Sequence, residues 1–243
     1  MRTVICGSKS EIGKLAGKIL CDYVKANPKA VLGFATGASP IPAYDSIVEE
    51  YKKGGVSFKE VVTFNLDEYS GLAREHKNSY YSFMQENLFS KIDVRPENIN
   101  FLNGSAENWA SECERYSKAI RDAGGIDIQI LGIGHNGHIG FNEPGETFSG
   151  DAYRVKLTDS TIAANSVYFE DSLMPRYALT MGTKQIMECR HIILIATGEG
   201  KAEAVRAMIN GKVTPMCPAS VLQNHDNVDV FLDEDAAGLT DLG

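Results

Sequence analysis

Apolar residues along the chain fall into two alternating rhythms. Short continuous runs read as buried strands: Arg2–Cys6, Ala30–Thr36, Val61–Tyr69, Ile126–Gly134, His191–Gly198 and Val228–Glu234. Between them, apolar positions recur every three or four residues, the spacing of one helix face. Ile12, Leu15, Ala16, Ile19, Leu20 and Tyr23 mark the first such face, which Pro28 closes. Residues 40–55 form a second helix, with proline in the first turn and glycines at the end. Tyr80, Met84 and Leu88 mark a third; Trp109, Cys113, Tyr116 and Ile120 mark a fourth.

Run, glycine turn, amphipathic stretch, run again: this order predicts βα units. The expected fold is α/β, an open, mostly parallel, Rossmann-like sheet flanked by helices. No linker or repeat divides residues 1–243, so one domain is expected. The segment 146–176 fits the rhythm poorly. A helix over 158–169 and a lid over the site are expected there.

Composition narrows the function. The formal charge is −8 and no basic stripe is present, so a nucleic-acid partner is not expected. No apolar run approaches a membrane span or a signal peptide, which predicts a cytoplasmic protein. Cys6, Cys21, Cys113, Cys189 and Cys217 are scattered, odd in number and without a C-x-x-C pair, which fits reduced thiols.

In open parallel sheets, ligands sit beyond the carboxyl ends of the strands. Four strand ends carry chemistry. "TGAS" offers Thr36, Gly37, Ala38 and Ser39 on a tight turn ahead of a helix, an anion cradle without Walker spacing. "TGEGK" places Lys201 where a helix begins; a bound anion would offset that unfavourable charge. "LDEY" ends a strand with adjacent Asp67 and Glu68, of which alternation turns only one to the crevice, where burial favours a general base. "LGIGHNGHIGFNEPG" brackets His138 with Asn136 and Glu143 on a glycine loop, a carboxylate–histidine pairing suited to moving protons near neutral pH. His135 and His138 lack a third metal ligand, so no metal is expected. Two anion cradles, a carboxylate and a His–Glu pair suit a phosphorylated sugar that needs proton shuttling, without redox or nucleotide cofactors.

Taken together, "VLGFATGASP", "NLDEY", "NSYYSFM", "GHIGFNEPG", "TIAANS", "TGEGKAEA" and "PASVLQ" resemble the glucosamine-6-phosphate deaminase family over nearly the whole chain. The resemblance implies conversion of glucosamine 6-phosphate and water into fructose 6-phosphate and ammonia, without a cofactor. It implies Asp67 as the proton-transfer base, His138 as the ring-opening group, Glu143 as its relay partner and Asn136 as completing the relay. The "TGAS" turn and Lys201 match the phosphate-binding elements. Val167 departs from the pattern, because members acting on glucosamine commonly carry arginine there. Either Arg154, Lys156 or Arg176 substitutes from the lid, or the preference shifts toward galactosamine 6-phosphate. The chain ends soon after "VDVFLDEDAAG", without the extension of allosteric members, so no activation by N-acetylglucosamine 6-phosphate is expected. The same scaffold serves 6-phosphogluconolactonases and sugar-phosphate sensors; the "DEY" and "FNEPG" blocks favour the deaminase. Oligomeric state, monomer or homo-oligomer, is not readable from the sequence.

Overall fold

The structure, a computed structural model, describes residues 1–166, 169 and 174–241. In chain order the regular elements are β1 (Arg2–Cys6), α1 (Lys9–Ala26), β2 (Val31–Phe34), α2 (Ile41–Lys52), β3 (Val62–Asn65) and β4 (Asp67–Ser70). Next come α3 (Tyr80–Asn87), β5 (Ile99–Asn100), α4 (Trp109–Asp122), β6 (Ile128–Leu131), β7 (Tyr153–Lys156) and α5 (Asp159–Ser166). The chain continues through β8 (Tyr177–Thr180), α6 (Thr183–Met187), β9 (His191–Ala196), α7 (Ala202–Asn210), β10 (Val228–Asp233) and α8 (Glu234–Ala237).

Seven strands pair in the order β1-β10-β9-β6-β2-β3-β5, every pair parallel. A crossover helix covers each face, and two apolar cores result, one on either side of the sheet. From β2 the chain moves outward through β3 to β5, then returns to β6 and proceeds the other way through β9 and β10. The direction reverses between β2 and β6. The loops after these two strands therefore diverge and leave a crevice there.

Three features of the fold depart from the sequence-based expectation. The first is the strand expected over Val61–Tyr69, which breaks at Leu66. The Leu66 N–H still donates to the Phe34 carbonyl of the large sheet at 2.9 Å, while its own carbonyl accepts from Met181 at 2.8 Å. Beyond it, β4 joins β8 and β7 in a separate three-stranded antiparallel sheet, order β4-β8-β7. Asp67 thus opens a new sheet at the lip of the old one.

The second departure is the face of α1. Leu15, expected in the core, is 36 % exposed, whereas Gly13, Ala16, Gly17 and Leu20 are buried. A Cβ on Gly13 would stand 2.4 Å from the Pro42 backbone, and one on Gly17 would stand 2.7 Å from Ser46. The two glycines let α2 lie directly against α1, and this contact holds the first turn of α2 beneath the "TGAS" loop. Trp109 likewise leaves its predicted core face and is 44 % exposed at the start of α4.

The third is segment 146–176, where the unforeseen strand β7 pairs with β8; α5 lies within the expected 158–169 helix. Val167 lies outside the described residues. All five cysteines are buried and unpaired. Among the described residues, no helix is long and apolar enough to cross a membrane.

Candidate active site

A cleft of about 340 Å³ opens at the reversal between β2 and β6. Thr36, Gly37, Ala38, Ser39, Asp67, His138 and Lys201 all line it. The four chemically loaded strand ends therefore meet in one place. A larger depression of about 840 Å³ lies at the opposite, amino ends of β2 and β3, lined by Lys25, Lys52, Lys59, Glu60, Asp93 and turn backbone, with no histidine among its lining residues.

The anion side is built by two turns. Gly37 has φ 103°, a conformation that L side chains rarely adopt, and it swings the chain from β2 toward α2. The exit of β2 is pinned by Tyr44, whose hydroxyl donates to the Ala35 carbonyl at 2.5 Å. No side chain caps α2; Pro42 brings no N–H, and the N–H groups of Ala43 and Tyr44 donate to the Pro40 carbonyl at 2.9 and 3.1 Å, so the cradle there is chiefly the Gly37–Ser39 turn. Across the cleft, Gly198 (φ 87°) turns the chain after β9, and its N–H is held by the Asp233 carboxylate at 2.9 and 3.0 Å. The tight turn Glu199–Lys201 follows, and α7 begins at Ala202. Burial pushes the Lys201 ammonium below its ordinary range. A phosphate beside it would favour the charged form that burial disfavours.

Asp67 and Glu68 part as alternation predicts. Glu68 turns away from the cleft and accepts the N–H groups of Tyr69, Tyr80 and Tyr81 at 2.9, 2.9 and 3.0 Å. Burial raises the Glu68 carboxyl above its ordinary range, and these three backbone donors, two of them at the start of α3, partly offset that. Asp67 enters the cleft and is only 6 % exposed. Burial, and secondarily the charge of Glu68, raises its carboxyl well above the usual carboxylate range.

The glycine loop forms the facing side of the cleft. Its turn is closed by Gly134 N–H donating to the His138 carbonyl at 2.8 Å. His138 Nδ1 faces Glu143 Oε2 at 3.5 Å. Asn136 bridges both partners: its amide donates to Glu143 Oε2 at 2.7 Å, and its carbonyl oxygen accepts the His138 N–H at 3.2 Å. Burial alone would raise the Glu143 carboxyl. The His138 ring beside it, with bonds from Thr161 and Asn136, outweighs burial and holds the group at about 2. Glu143 is therefore an anion throughout the working range of a neutral-pH enzyme.

Three structural supports lie inside the sequence motifs, Gly134 and Asn142 in "LGIGHNGHIGFNEPG" and Thr161 in "TIAANS", yet they were given no role from the sequence. Gly134 is one: a Cβ there would stand 2.2–2.4 Å from three atoms of the His138 ring. Asn142 is another. Its amide donates to the carbonyls of Ile139 and Met181 at 2.8 and 2.9 Å, and its oxygen accepts from Ser149 and Tyr153. This clamps the glycine loop to the end of β8. Thr161 of α5 is a third, donating to Glu143 Oε1 at 2.5 Å.

The basic residues expected from the lid do not line this cleft. Arg154 instead lies over the Tyr177 ring at 3.9 Å, and Lys156 and Arg176 are exposed. The three-stranded sheet directs Arg154 away because β7 presents it toward Tyr177. Among the described lining residues, Lys201 is the lysine or arginine of the site.

Known proteins match both sequence and shape. The family described as glucosamine-6-phosphate isomerases/6-phosphogluconolactonase matches residues 10–231. Glucosamine-6-phosphate deaminase of Alkaliphilus metalliredigens is 47 % identical over 240 residues, covering 98 % of this chain and 99 % of that one. Glucosamine-6-phosphate deaminase 2 of Bacillus subtilis is 46 % identical over 240 residues, with coverage of 98 % and 96 %. A solved monomeric glucosamine-6-phosphate deaminase superposes with a TM-score of 0.95 at 41 % identity, covering 98 % of this chain and all of that one. The 6-phosphogluconolactonase of Trypanosoma brucei shares the fold, at a TM-score of 0.74 and 17 % identity. By full-length identity and by shape, the chain belongs to the glucosamine-6-phosphate isomerase/6-phosphogluconolactonase family and stands among its deaminases.

Proposed function

We propose that the protein converts glucosamine 6-phosphate and water into fructose 6-phosphate and ammonia, and that one cleft does all of the proton work. The observation that carries this reading is the convergence of Asp67, the His138–Glu143 pair and Lys201 on that cleft.

The chemistry follows from the groups. The phosphate, held by the Thr36–Ser39 turn and Lys201, anchors the sugar by the end that does not react, so binding energy there positions the reacting end. His138 takes the proton of the anomeric hydroxyl and returns it to the ring oxygen, which opens the ring. Glu143 stabilises the imidazolium formed between those two transfers, and Asn136 holds both partners in register. Asp67 removes the proton from C2 of the open aldose while a proton lost by the amino group goes to O1, giving a C1–C2 enolamine; Asp67 then delivers the C2 proton to C1, which leaves an iminium at C2 and a hydroxyl at C1. Water adds there and ammonia departs. The substrate ammonium, beside a buried carboxylate, favours the ionised form of Asp67 and so prepares the base on binding.

The test is ammonia release from glucosamine 6-phosphate and galactosamine 6-phosphate in parallel, with Asp67→Asn as control. Release from the glucosamine sugar, abolished in the variant, is expected. Release from neither sugar overturns the proposal, and faster release from the galactosamine sugar moves it to the C4 epimer.

A further inference from the structure

Glu143 offers two carboxylate oxygens, and they are held from different parts of the chain. Oε2 faces the catalytic loop, where Asn136 donates at 2.7 Å and His138 stands at 3.5 Å. Oε1 faces α5, eighteen residues on, and takes the Thr161 hydroxyl at 2.5 Å. Thr161 is only 4 % exposed, so this bond is shielded from competing water. Behind it runs a short chain of donors. The Thr161 N–H donates to Thr158 Oγ1 at 3.3 Å, and the Thr158 hydroxyl donates to Thr161 Oγ1 at 3.0 Å. Each hydroxyl thus receives a proton donor and passes one forward, ending on the carboxylate. Asn165, one turn further along the same face of α5, also reaches the cleft wall.

We propose that Thr161 is a positioning residue for the proton relay: by holding Oε1 it fixes the carboxylate plane so that Oε2 meets the His138 ring, and it makes docking of α5 a condition for an assembled relay. The Thr158 hydroxyl also approaches Oε1, at 3.5 Å, a separation too long to fix the carboxylate's last torsion, which is broad. With Thr161 in place both oxygens are committed, and the imidazole meets one acceptor in one orientation. The titratable groups facing Glu143 are His138 from its own loop and the Tyr153 phenol from β7. Asp159, at the head of α5, is exposed. The proposal rests on the deaminase reading for its activity measurement and on geometry alone for its spectroscopic one.

The experiment compares Thr161→Val, which keeps the shape and removes the donor, with Thr161→Ser, which keeps the donor. Thr161→Val is expected to lower kcat for ammonia release by about tenfold, the scale of one lost hydrogen bond to a charged group. KM should stay within about twofold, and Thr161→Ser should restore kcat. In a Glu143→Ala background the same substitution should cost less than about twofold, because its partner is gone. Equal losses in both backgrounds, or a raised KM with kcat intact, would mean that Thr161 merely supports the helix, and would overturn the proposal. Nitrogen-15 histidine spectra give a readout that needs no turnover. The His138 Nδ1–H signal should sharpen in wild type and Thr161→Ser and broaden in Thr161→Val; an unchanged signal in the valine variant also overturns it. A wild type that releases no ammonia would instead sink the deaminase reading and leave the spectra to decide Thr161.

Discussion

Nδ1 of His138 lies 3.5 Å from Oε2 of Glu143, and the same oxygen receives the Asn136 amide at 2.7 Å. Histidine and carboxylate are five residues apart on one loop, yet they face each other because the chain reverses over Ile139–Asn142, where Gly140 has φ 58° and the Asn142 N–H donates to the Ile139 carbonyl at 3.1 Å. The relay is thus a local structure, held from outside by Asn142 and Thr161.

Glu143→Gln keeps the shape and removes the charge. It is expected to lower kcat by about a hundredfold, within the range of general acid–base contributions. A steady-state assay of ammonia release checks this. The variant should also be less stable than wild type near neutral pH. The folded value of about 2 lies below the ordinary 4.5, so the stability contribution is present above 4.5 and is lost as pH falls toward 2. The gap in Tm between wild type and variant should therefore narrow over that window.

Asp67→Asn should be inactive, with kcat down by at least about a hundredfold, and more stable than wild type at neutral pH. Burial raises the folded carboxyl well above 3.8, so the folded state binds a proton that the unfolded state releases. Stability from this group is present below 3.8 and falls as pH rises through the folded value; the neutral amide removes the penalty. Thermal denaturation at pH 7 checks the sign. For the same reason the acidic limb of kcat/KM in the wild type should lie above 3.8, since the base must be ionised.

Lys201→Met is expected to raise KM by about tenfold or more with a smaller change in kcat, since a charge-assisted bond to the remote phosphate is lost. Burial lowers the Lys201 ammonium from 10.5 in the empty cleft. KM of the wild type should accordingly rise with alkaline pH before 10.5 is reached, and that rise should be absent in the variant. A pH series of initial rates separates the two.

Gly134→Ala tests a contact that carries no charge. The added methyl would stand 2.2–2.4 Å from the His138 ring and must push it out of line with Glu143. A loss of about a hundredfold in kcat is expected from a small displacement of this kind. Far-ultraviolet circular dichroism should remain that of wild type. A fully active variant would show that the ring tolerates a second position.

Legibility of the sequence varied by element. Strands β2, β6, β9 and β10 were readable because central parallel strands are buried on both faces and appear as unbroken apolar runs. The second sheet was not. Tyr153–Lys156 and Tyr177–Thr180 are short, and their partner Asp67–Ser70 is continuous in sequence with β3. The face of α1 was misread at Leu15 because two glycines, not the larger side chains, set the contact with α2.

The candidate site divides in the same way. Asp67, Asn136, His138, Glu143, Lys201 and the 36–39 turn were legible because each follows a strand, and a parallel sheet delivers all of its strand ends to one side. Hydrophobic pattern and residue type pointed to these strand ends; the choice of Asp67 over Glu68, and the role given to Asn136, came from the family resemblance. Gly134 under the imidazole, Asn142 clamping the loop, Thr161 on the second carboxylate oxygen and Arg154 drawn onto Tyr177 were decided by tertiary structure. Their roles depend on distances between residues whose separation along the chain says nothing of their separation in space, and only packing sets those distances.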